Sequence, residues 1–80
     1  MKTLYTKLME RALETASRMN QQAKEGDMKR NHVNCGALSE IMYMLTQLGF
    51  KVEDCTYADG DYYICDQLKA DGITYFKFEN

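Results

Sequence analysis

One tripeptide occurs twice in this chain and constrains its fold more than any other stretch: Ala58-Asp59-Gly60 and Ala70-Asp71-Gly72. Asp followed by Gly is turn chemistry. Gly reaches the left-handed backbone region without a Cβ clash, and Asp bonds its own backbone. The two copies cut the tract from Phe50 to Phe78 into three strand-length runs, 50–57, 61–69 and 73–78. A three-residue hairpin loop takes glycine in its left-handed third position, which predicts that residue 57 pairs with 61 and 69 with 73. Opposed residues share a sheet face, so this register gathers Phe50, Val52, Ile64, Leu68, Phe76 and Phe78 on one side. A two-residue Asp-Gly loop at the first turn would split that apolar set between the two faces.

The same register puts Tyr57, Tyr63, Gln67, Ile73 and Tyr75 on the other face, with Cys55, Cys65, Lys51, Glu53 and Lys77. Asp54 and Asp66 break the scheme, because they share the parity of the apolar face. A buried carboxylate without a partner is costly. The two aspartates are therefore expected beyond the helices' cover, beside a basic partner, or released by a β-bulge.

Upstream the period changes from two to about 3.6. Tyr5, Met9, Ala12, Ala16, Met19 and Ala23 recur at steps of three and four, predicting a helix over 2–24 with Leu4, Leu8 and Leu13 widening the stripe. Gly26 stops it, and Asp27 caps a second helix over 28–48. The apolar stripe of that helix runs from Met28 through His32, Cys35, Leu38, Met42 and Leu45 to Leu48, with Ile41 and Met44 broadening it. So short a connection makes the helices antiparallel. Gly36 is expected in a layer of small residues where its missing side chain lets the two backbones approach. The fold class is therefore α+β: a two-helix hairpin on one face of a three-stranded antiparallel meander, in one domain over 1–80.

Composition bounds the function. Net charge is −2, with three cysteines, one histidine and no proline. Residues 1–48 hold seven basic and five acidic side chains, a balance of +2; residues 49–80 hold three basic and seven acidic, a balance of −4. Three irregularly spaced cysteines make neither a zinc site nor a disulfide framework. The Asp-Gly-Asp turn lacks the alternating ligands and closing Glu of a calcium loop. His32 and Cys35, three apart on a helix, could pair as imidazole and thiol, but no surrounding signature supports a nucleophile. Both are expected on the stripe facing the first helix. No catalytic, cofactor-binding or metal-ligating residue is thus expected. The first residues meet Glu10 before any apolar run develops, and no run reaches the ~20 residues that span a bilayer. A cytoplasmic setting with no membrane partner follows.

The tyrosine face, with Tyr57, Tyr63, Tyr75, Ile73 and Gln67, is the candidate binding surface, because tyrosine is enriched at interface centres. The expected function is non-catalytic: protein–protein interaction through that open face, as an adaptor or inhibitor of a larger complex of the type phages and mobile elements encode. A homodimer is one form such a partner takes. Two other readings remain open. One is nucleic-acid-related, either as an acidic mimic of a nucleic-acid backbone or as a weak single-strand binder on the tyrosines. The other is homo-oligomerisation with a structural purpose alone.

Overall fold

The computed structural model describes residues 3–77, without the side chains of 54, 55 and 75–77. Two helices, α1 (Leu4–Glu25) and α2 (Met28–Gln47), precede three strands, β1 (Val52–Asp59), β2 (Tyr62–Ala70) and β3 (Ile73–Lys77). The strands form an antiparallel sheet in the order β1-β2-β3, and the helix hairpin packs on it, an α+β fold. The helix ends form as the local chemistry dictates. Thr3 caps α1 by accepting from the Thr6 amide, and Gly26 closes it at φ 74°. Asp27 caps α2 through the Arg30 amide.

The core is built from methionines, small residues and leucines: Met9, Ala12, Ala16 and Met19 of α1, Leu38, Met42 and Leu45 of α2, and Cys65, Leu68 and Ala70 of β2. Phe50 lies ahead of β1 and stacks on Tyr5, with ring centroids 4.1 Å apart. Three apolar stripe residues of α2 behave otherwise than their spacing predicts. Met28, Met44 and Leu48 are exposed, because the sheet and α1 together cover a narrower arc of α2 than its apolar positions span. Gly36 is also exposed, and a Cβ placed on it would meet nothing within 4 Å, so it does not sit in an interhelical layer.

Both hairpin loops are shorter than the tripeptides suggest. Asp59 pairs with Tyr62, leaving Gly60-Asp61 as a two-residue turn, and Ala70 pairs with Ile73, leaving Asp71-Gly72. Gly60 has φ 62°, whereas at the second turn Asp71 and Gly72 are both left-handed, at 50° and 80°. These are the φ signs of II′ and I′ turns, whose twist matches that of the flanking strands; this favours them over a three-residue loop. The predicted pairing of 57 with 61 and 69 with 73 is accordingly wrong: Tyr57 pairs with Ile64, and Lys69 with Thr74. The Asp71 carboxylate accepts from the Lys51 amide at 2.9 Å, tying the second turn to the approach to β1.

The shift at the first turn would turn half of β2 inside out if it continued. It does not, because Asp54 pairs with Leu68 and Thr56 with Cys65, so β2 inserts one extra residue at Asp66-Gln67. This bulge restores the parity at the base of the sheet and leaves Val52, Leu68 and Ala70 facing the helices. It also takes Asp66 off the core face, one of the escapes the sequence allows. The Tyr57 hydroxyl donates to its carboxylate at 3.5 Å. The side chain of Asp54 lies outside the described residues. A second irregularity inserts one residue of β3 between Thr74 and Phe76.

Candidate functional site

The site begins with an edge. Within the described residues, β3 pairs with β2 only from Gln67 to Ala70, so the far half of β2 needs other partners for its outward backbone groups. Two helix asparagines supply them. The Asn20 amide donates to the Cys65 carbonyl and its oxygen accepts from the Cys65 amide, both at 2.8 Å. Asn31 does the same for Tyr63, donating to its carbonyl at 2.9 Å and accepting from its amide at 2.8 Å. Its second amide hydrogen goes to the Met19 carbonyl of α1 at 2.8 Å. A carboxamide carries the same donor and acceptor as a peptide group, so each asparagine stands in for one residue of a missing neighbour strand.

This docking sets α1 alongside the edge of β2, and its last turns reach the outer side of the hairpin tip. There Tyr57, Ile64, Tyr62 and Asp59 meet Asn20, Ala23 and Lys24 around a cleft of about 240 Å³. The lining is mostly apolar, and Lys24 and Asp59 add a residue of each charge to it. The α1–α2 turn borders the cleft: a Cβ on Gly26 would lie 3.6 Å from the Tyr62 hydroxyl, an ordinary contact, so it is the φ of 74° that favours glycine there. On the opposite side of the hairpin, the His32 ring meets Tyr63 edge-on at 5.2 Å, and its Nε2 lies 2.6 Å from the Asp61 carbonyl oxygen. His32 is therefore turned to the hairpin tip and not toward α1, as its place in the stripe predicts. Cys35 packs at the margin of the core.

The expected tyrosine face is not one surface. Tyr57 pairs with Ile64 and lies on the outer side of the sheet, whereas Tyr63 pairs with Ala58 and lies on the helix side beside His32. Ile73 pairs with Ala70, which is wholly buried, so Ile73 also has the parity of the helix face, yet it is 60% exposed at the sheet margin. Cys65, expected on the outer face, is wholly buried. Gln67 is half-buried at the bulge, and the side chain of Tyr75 lies outside the described residues. The first two-residue turn parts Tyr57 from Tyr63, the second turns Ile73 to the helix-side parity, and the bulge in β2 displaces Gln67.

Sequence reasoning missed Asn20, Asn31, Tyr62, Ala23 and Lys24. A signal for the asparagines was present: Asn20 follows Ala16 by four residues and Asn31 precedes Cys35 by four, so both occupy stripe positions where an apolar residue is expected. A carboxamide there signals backbone that needs a partner. The cleft itself depends on the register and could not be read without it. No protein-family model, curated protein or solved structure matches the chain. Among the described residues, no helix is long and apolar enough to cross a membrane.

Proposed function

We propose that this chain is a small non-catalytic protein-interaction module, an adaptor or inhibitor of a larger complex, whose contact site is the hairpin-tip cleft. The observation that carries the reading is the cleft's size and lining. At about 240 Å³ it falls below the roughly 300–1,000 Å³ of small-molecule sites and matches one large side chain of a protein partner. A lining of two tyrosines, an isoleucine and an alanine together with a lysine, an aspartate and an asparagine is of the kind in which interface anchors sit. The acidic strand half, with Asp59 and Asp61 at the tip and Asp66 at the bulge beside Tyr57, disfavours phosphate backbones as ligands.

Affinity capture from the native host with Tyr57→Ala beside the parent chain tests the reading. Tyr57 is 44% exposed, so the substitution is expected to leave the thermal midpoint nearly unchanged while the captured partner is lost. Retention of the same partner by the variant would refute the cleft as the contact site. Salt-dependent binding to DNA or RNA would favour the nucleic-acid reading, and a concentration-dependent dimer lost in Tyr57→Ala would favour self-association.

A further inference from the structure

The helix hairpin presents a second surface on the side away from the sheet. Along α1, Leu4, Leu8, Arg11, Thr15, Arg18 and Gln22 recur at steps of four and three; along α2, Arg30, Val33, Ala37, Ile41, Met44 and Leu48 do the same. The two rows flank one groove. Its floor is closed at mid-length by Thr15 and Ile41, both buried. Its two ends differ in chemistry. At one end Leu4, Leu8, Met44 and Leu48 line an apolar hollow of about 270 Å³, with Leu4 60% and Met44 43% exposed. At the other, Arg18, Lys29 and Arg30 line a broader hollow with a single carboxylate, Asp27. That carboxylate lies 3.6 Å from the Arg30 guanidinium, and the Arg18 guanidinium lies 3.3 Å from the carboxylate of Glu14 one turn earlier on α1.

We propose that this groove docks an amphipathic helix of a partner protein, apolar over one half of its buried face and acidic over the other. The form follows from the geometry. A groove between two packed helices, bordered by rows at three- and four-residue steps, is the shape into which a third helix interdigitates. From Leu4 to Gln22 it runs about 27 Å, the length of about 18 helical residues. The polarity follows from charge complementarity: three cations against two carboxylates, Asp27 and Glu14, leave one positive charge in excess, and the two ion pairs are of the weak surface kind that a partner's acids can take over; the leucine–methionine end calls for an aliphatic anchor. A second copy of this chain fits badly. Two-fold packing of the groove on itself sets cation on cation if the grooves run parallel, and cations against leucines if they run antiparallel.

The test uses the full chain and two synthetic peptides of about 18 residues. Both carry leucines at i, i+3 and i+4 over one half; over the other half the same face carries glutamates in one peptide and lysines in the second. Each is made in both sequence directions. Fluorescence anisotropy is expected to show binding of a glutamate peptide that weakens as salt rises. Met44→Glu and Leu4→Glu, two exposed positions, are each expected to weaken it about tenfold or more, as is the pair Arg18→Glu with Lys29→Glu. Tyr57→Ala is expected to bind the peptide as the parent does, so failure here is distinct from failure of the cleft reading. Equal binding of the lysine peptides, indifference to both apolar-end variants, or no binding of either glutamate peptide at about 1 mM would overturn the proposal. A dimer in sedimentation that Met44→Glu abolishes would overturn it in favour of a second copy.

Discussion

Asn20 and Asn31 are the residues on which the arrangement turns. Each makes a two-point contact with one residue of β2, and together they stand in for a neighbour strand where, among the described residues, β3 does not pair. Among the described residues no buried side-chain polar atom is left without a hydrogen bond, and these two amides account for much of that balance. Removing Asn20 orphans the buried amide and carbonyl of Cys65, and removing Asn31 orphans the partly buried pair of Tyr63 together with a bond to the Met19 carbonyl; an orphaned buried group costs about 1–3 kcal/mol. Asn20→Ala and Asn31→Ala are therefore expected to lower the unfolding free energy by at least about 2 kcal/mol each in urea titrations. Asn34 provides the control. It is half-buried and donates to the Gln22 side chain at 2.7 Å, so no backbone group depends on it. Asn34→Ala is expected to cost less than about 0.5 kcal/mol. Equal losses at positions 20 and 34 would mean that the amides fill space and do not cap an edge.

Helices and strands were legible in the sequence because periodicity and end chemistry agree. The stop at Gly26, the cap at Asp27 and the order of elements follow from local rules, and all are present. Register was not legible, because Asp59-Gly60-Asp61 offers two turn frames that differ by a residue and only strand twist chooses between them. The bulge at Asp66-Gln67 was foreseeable only as a remedy for a misplaced aspartate, and the cleft, which needs both features, was hidden with them. Glycine shows the same limit: its role depends on backbone angle and surroundings, which sequence does not display. Gly36 lies in the interior of α2 with open space at its Cβ, whereas Gly60 sits in a turn at φ 62°. One substitution should thus have opposite effects at the two positions. Gly36→Ala is expected to raise stability by about 0.5–1 kcal/mol, through helix propensity alone. Gly60→Ala is expected to lower it by about 1–2 kcal/mol, the cost of a left-handed alanine. Thermal midpoints that move the same way for both would contradict the geometry.

At the scale of the molecule, charge and shape divide together. The helical half carries a balance of +2 and holds the groove; the strand half carries −4 and supplies most of the cleft. The two surfaces draw on different rows of α1: Asn20, Ala23 and Lys24 line the cleft, while Leu4, Leu8, Arg18 and Gln22 border the groove. On the two proposals together, the occupants would touch different side chains of this chain, which would then join two partners. With the cleft partner immobilised and this chain bound to it, the glutamate peptide is expected to add to the complex and release nothing, read as a further rise in biolayer interferometry. Met44→Glu should abolish that second rise and leave the first intact, and Tyr57→Ala should abolish the first. Release of the chain on adding peptide would mean that one partner spans both surfaces, and the chain would then act by occupying a single target and not by bridging two.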